Sequence, residues 1–121
     1  MVKAVRGATQ IEEDRPQEIQ EAVVELFHGI VKENEFTADD IISLIISVTD
    51  DIHSMNPATA LRAGGIDSFP LFCVQEMKTD NQLPRTIRFL LHIQMPEDTK
   101  DVTHVYTRGA QVLRPDLQKK N

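Results

Sequence analysis

Seven apolar residues, Ile19, Ala22, Val23, Leu26, Phe27, Ile30 and Val31, recur at steps of three and four along one stretch of the chain. Residues so spaced form a single stripe on an α-helix, and a helix with one apolar stripe must lay it on another element. Pro16 suits the first turn, where a missing N–H has no partner to lose. Glu18, Glu21, Glu25, Lys32 and Glu33 take the wet face. The spacing predicts a helix over residues 15–34. The surface it needs comes from extended runs. The strongest is Ile41-Ile42-Ser43-Leu44-Ile45-Ile46-Ser47-Val48, whose nearly continuous apolar character predicts a strand covered on both faces.

The remaining segments are shorter. Residues 2–6 read as a first strand ended by Gly7, and a polar connection leads to the helix. Residues 37–40 are a turn. Asn56-Pro57 opens a short helix over 58–63, Asn as cap and Pro in the first position, and Gly64-Gly65 stops it. Strands are expected at 70–75, 86–95 and 110–113, with one helical turn near 98–104. Residues 115–121 look like a mobile tail. With 121 residues the chain is expected to form one domain over 1–121. The class is α+β: a mixed five-stranded sheet with helices on one face.

Hydrophobic residues make up 40% and aromatics only 5%, enough for one aliphatic core that would gain from association. A net charge of −6 without a Lys/Arg run excludes nucleic acid as a partner. It does not exclude a small anion, because a few arginines outweigh distant surface acids in a low-dielectric site. No apolar stretch approaches the ~18–20 residues that span a bilayer. Cys73 is the single cysteine, so no disulfide forms within the chain. The start lacks a signal-peptide h-region. A cytoplasmic protein with no membrane partner is expected.

Arg88 interrupts the apolar run Thr86-Ile87-Arg88-Phe89-Leu90-Leu91-His92-Ile93. A buried guanidinium without a fixed anion costs several kcal/mol or so, so a carboxylate of the chain or of a ligand should face it. Arg6, Glu76 and Arg114 stand at the ends of other expected strands, and together the four outline a site for a multiply anionic small molecule. Other chemistries lack support. Ser43 and Ser47 fall inside a strand with no Gly-x-Ser-x-Gly elbow. His28, His53, His92 and His104 are scattered singly, without zinc-ligand spacing, and no Gly-rich phosphate loop is present. A lone strand cysteine such as Cys73 ordinarily packs in the core, Arg62 on its short helix is ordinarily solvated, and Tyr106 could simply close a core edge. Composition leaves Glu76 open between a solvated strand-end acid and a site acid.

Five segments carry a resemblance: Val5-Arg6-Gly7-Ala8-Thr9, Cys73-x-Gln75-Glu76-Met77, Ile87-Arg88, His104-Val105-Tyr106 and Val112-Leu113-Arg114-Pro115-Asp116-Leu117. In this order, over nearly the whole chain, they resemble the monofunctional chorismate mutases of the trimeric pseudo-α/β-barrel class. The resemblance implies a homotrimer with active sites between subunits, converting chorismate to prephenate without metal or cofactor on the route to phenylalanine and tyrosine. By the same resemblance Arg88 faces the ether oxygen, Arg6 with Tyr106 binds a carboxylate, and Glu76 and Cys73 meet the ring hydroxyl. Arg62 and the closing segment Leu113-Arg114 complete the substrate-binding set. Asn56 and Thr59 depart from the aromatic and lysine expected beside the site, and Phe72 replaces a small polar residue. The rival of another class is a non-enzymatic trimeric α+β binder of an anionic metabolite. Arginines spread over four segments favour a dianion and hence the mutase.

Overall fold

The computed structural model describes residues 1–99 and 101–114. The expected mobile tail at 115–121 lies outside the described residues. The elements run β1 (Val2–Gln10), α1 (Pro16–Asn34), β2 (Ile41–Val48), α2 (Pro57–Ala63), β3 (Leu71–Gln75), β4 (Thr86–Gln94) and β5 (Val105–Tyr106). They form one mixed sheet in the order β3-β2-β4-β1-β5. The β2–β3 and β1–β5 pairs are parallel, and β4 is antiparallel to both β1 and β2.

The apolar stripe of α1 is buried as its period requires: Ile19, Ala22, Val23, Leu26, Phe27 and Ile30 all lie in the core. Beneath it are Val5 of β1, Leu44 and Ile46 of β2, and Ile87, Phe89, Leu91 and Ile93 of β4. The helix ends where Glu35 turns into the left-handed region (φ 54°) and its N–H donates to the Val31 carbonyl. At the start of α2 the Asn56 side chain accepts from the Ala58 amide at 2.8 Å, the expected cap. No helix of the described residues is long and apolar enough to cross a membrane.

Four expectations are corrected. First, Gly7 does not end β1 but lies inside it, so Arg6 is a mid-strand residue. A Cβ at Gly7 would stand 2.8 Å from Ile30 Cδ1 and 3.2 Å from Leu26 Cδ1, so the glycine admits α1 to the sheet rather than making a turn. Second, among the described residues β2 is covered on one face only: Leu44 and Ile46 are buried while Ile45 between them is 37% exposed. Third, residues 110–113 are not a strand. Arg108 adopts φ 52°, which breaks the extended run after β5. The Ala110 amide then bonds back to the Thr107 carbonyl, and Arg108–Leu113 winds as a 3-10 helix. Gly109 fits because a Cβ there would collide with the Gln10 side chain. Arg114 therefore follows a 3-10 helix and not a strand. Fourth, the described residues of 98–104 form no helical turn; the chain bends at 97–98 and runs irregularly into β5.

Candidate active site

Strand register decides which side chains share the face that the helices leave open. One row across the sheet reads Val74, Ser47, Arg88, Ala8 and Tyr106, one residue from each strand. The adjacent row on the same face reads Phe72, Ile45, Leu90 and Arg6. Side chains alternate along a strand, so the intervening row, Cys73, Ile46, Phe89, Gly7 and Val105, points toward the helices. Arg6, Arg88 and Tyr106, far apart in sequence, thus meet on one surface.

They line a cavity of about 310 Å³, together with Ile45, Ser47 and Leu90. On the other flank of Arg88 a second cavity of about 440 Å³ is lined by Glu76, Met77, Gln82, Val112 and Leu113 among others. Arg88 belongs to both. Its side chain is 44% exposed, so the expectation of a buried guanidinium is corrected for the single chain: among the described residues no second layer covers this face. The expected anion is present. Arg88 Nε lies 3.5 Å from Glu76 Oε1, and the same oxygen accepts a 2.6 Å hydrogen bond from the Ser47 hydroxyl. The Glu76 amide donates to the Val48 carbonyl, which prolongs the β2–β3 ladder by one residue and fixes the acid beside Ser47.

β5 is held next to Arg6 by a histidine. His104 Nδ1 accepts the Arg6 backbone N–H at 2.9 Å. An acceptor at Nδ1 must be unprotonated, and burial, helped by the Arg6 charge, holds the imidazole pKa below its ordinary 6.5.

Two expected site residues are not brought to this cluster. Cys73 lies in the row facing the helices and packs against the core, where burial pushes its thiol up against a smaller opposing pull from the Ala58 amide. Arg62 projects, exposed, from the last turn of α2. Leu113 reaches the second cavity, and Arg114 follows it, half-buried. Sequence reasoning missed Ser47, taken there as an interior strand residue. The available signal was a hydroxyl recurring in an otherwise apolar strand, at the parity of the exposed Ile45. Among the described residues no group of three or more His, Cys, Asp or Glu gathers as metal ligands do.

Fold and site together define a small α+β protein with two arginines, a tyrosine and a carboxylate gathered on the open face of its sheet. The chain belongs to the chorismate mutase type I family, whose sequence model matches residues 2–117. It is 35% identical over 118 residues to "Chorismate mutase AroH" of Bacillus subtilis (strain 168), covering 97% of this chain and 93% of that one. It is 38% identical over 121 residues to "Chorismate mutase AroH" of Thermus thermophilus, covering 98% of each. The solved "Chorismate mutase from Clostridium thermocellum Cth-682" superimposes with a TM-score of 0.85 at 36% identity, over 91% of this chain and 98% of that one. The chain is accordingly an isomerase that converts chorismate to prephenate.

Proposed function

We propose that chorismate rearranges on the open sheet face, between neighbouring subunits of a homotrimer, with Arg88 at the ether oxygen and Glu76 at the ring hydroxyl. The observation that carries this reading is the position of Arg88, between a cavity holding Arg6 and Tyr106 and another holding Glu76. The reaction is an intramolecular, concerted bond exchange, so it needs neither a nucleophile nor an obligatory proton transfer. Its C–O bond breaks ahead of C–C formation, and negative charge grows on the ether oxygen. A cation fixed there stabilises the transition state more than the ground state. Arg6 with Tyr106 clamps a carboxylate and keeps the flexible enolpyruvyl arm folded over the ring, near its reactive geometry. This chemistry asks for positioned donors and acceptors, and for no cofactor.

A neighbouring subunit supplies what one chain leaves open. Phe72 is 65% exposed, and Ile45, Val74 and Leu90 are exposed with it on the same sheet face. An apolar sheet face of this kind wants a partner. Cys73 and Arg62, which belong to the β3–α2 edge, then reach substrate from the adjoining subunit, and Leu113-Arg114 closes over it. Three such trimer clefts wrap the sheets into a pseudo-α/β barrel. A single cysteine with no disulfide suits the cytoplasm, where the route to phenylalanine and tyrosine would use the product.

The test is the fall of chorismate absorbance on incubation with purified protein. Wild type should consume chorismate and release prephenate, and Arg88→Ala should lower kcat by about 10²–10³ or more, the usual loss for one such donor. Arg88→Ala retaining most of its kcat would overturn the assignment of Arg88 while leaving family membership intact.

A further inference from the structure

Glu76 has two neighbours on one oxygen. Oε1 accepts the Ser47 hydroxyl at 2.6 Å and stands 3.5 Å from Arg88 Nε. Ser47 is the cross-strand partner of Arg88, so the ladder that sets the arginine also sets the hydroxyl. The first contact is short, as charge-assisted O–H···O⁻ bonds are, and the second is loose. A glutamate side chain turns about three bonds, and at 3.5 Å the arginine alone would let it swing between several poses. The hydroxyl is the contact that selects one. Serine is also an unfavourable choice for a strand interior whose neighbours are Ile45, Ile46 and Val48, so its presence asks for a polar purpose.

We propose that Ser47 is a positioning residue: by occupying Glu76 Oε1 it fixes the carboxylate so that Oε2 is the oxygen offered to the ring hydroxyl of chorismate. Arg88 is thereby left with only a long contact to Glu76, and its guanidinium stays free to turn toward the ether oxygen. Ser47 touches no reacting atom and works through Glu76. Its effect falls on recognition of the hydroxyl, not on the carboxylates held elsewhere. The inference rests on the reading that Glu76 accepts from that hydroxyl.

Calorimetric titration with two chorismate-like dicarboxylates, one carrying the ring hydroxyl and one lacking it, separates the two ideas. Wild type should favour the hydroxylated compound by about 10-fold or more, the effect of one hydrogen bond to a charged group. Ser47→Ala should reduce that preference to about 2-fold, weakening the hydroxylated compound more than the deoxy compound, with the melting temperature close to wild type. Ser47→Thr keeps a hydroxyl on a side chain that strands accept, and should keep the preference. If Ser47→Ala retains the full preference, or weakens both compounds equally, the positioning role is wrong and Glu76 keeps its own. If wild type and Glu76→Ala alike show no preference, the Glu76 reading itself falls.

Discussion

Arg88 is the residue on which the proposed chemistry turns, and its surroundings make a specific electrostatic claim testable. Its side chain is partly open, with Glu76 at one edge and the Arg6–Tyr106 cavity at the other. If charge on Arg88 matters chiefly when the ether oxygen becomes negative, a neutral isostere at position 88 should collapse kcat while KM stays within about tenfold. Retention of most of kcat in single-turnover measurements would make conformational clamping the main source of rate. Arg88→Lys should also be badly impaired, because it keeps a charge but loses the planar fork. The sequence disclosed Arg88 because a guanidinium in an apolar strand needs an explanation. Glu76 stood among the strand-end charges grouped with Arg88, but its role at the ring hydroxyl came only through the family resemblance, since a lone strand-end acid is commonplace. Ser47 was hidden for a different reason. Its value depends on which side of β2 the helices cover, and a run of isoleucines on both parities does not say.

At the scale of elements, the start of β4 is clamped at Arg85 and Thr86, just before Arg88. Thr49 donates its hydroxyl to Asp51 Oδ1 at 2.6 Å and accepts the Thr86 amide at 3.0 Å. Asp51 accepts the Arg85 amide at 2.9 Å, holding a residue with φ 47°. Arg85 in turn accepts the Ile11 amide through its carbonyl and donates Nε to the Ile11 carbonyl at 3.2 Å. The ends of β1, β2 and β4 are thus tied by one carboxylate. Burial by itself would raise its pKa, but the Thr49 hydroxyl, the backbone amides and the Arg85 charge hold it below the ordinary 3.8. A carboxylate depressed by folding stabilises the fold fully above its unfolded value, and that contribution fades as pH falls through the folded pKa. Asp51→Ala should therefore cost about 2 kcal/mol near neutral pH, through the orphaned amide and hydroxyl. Thermal melts at fixed protein concentration should show the gap to wild type closing as pH drops below about 3.8. A gap independent of pH would mean that the carboxylate charge contributes nothing. Such clamps are not written in periodicity, which is why α1, β2 and β4 were legible and the 108–113 segment was not. The long elements repeat an apolar period many times over. The fate of 110–113 rests on one backbone angle at Arg108 and on contact with Gln10, and its apolar letters fit a strand equally well.

For the whole molecule the open sheet face is the governing fact. Phe72, Ile45, Val74 and Leu90 expose apolar surface beside the arginines, while Cys73 and Arg62 lie off this face on the β3–α2 side. If three chains of 13.7 kDa close on these faces as proposed, light scattering should find a particle of about 41 kDa. The arrangement also specifies which variants can rescue one another. Arg6 and Arg88 line one cavity of one chain, so in the proposed trimer each cleft takes both arginines from the same subunit, and mixing Arg6→Ala with Arg88→Ala subunits should restore no activity. Arg62→Ala mixed with Arg88→Ala behaves otherwise if Arg62 crosses to the neighbour's site. In a ring of three, a cleft is intact when its Arg88 comes from an Arg62→Ala subunit and its Arg62 from an Arg88→Ala subunit. Random exchange at equal amounts makes about a quarter of the clefts intact, and activity toward chorismate should recover to about that fraction of wild type. Recovery in the Arg6–Arg88 mixture, or none in the Arg62–Arg88 mixture where Arg62→Ala alone is impaired, would show that the cleft is divided between subunits differently. A fully active monomer would remove the shared cleft altogether.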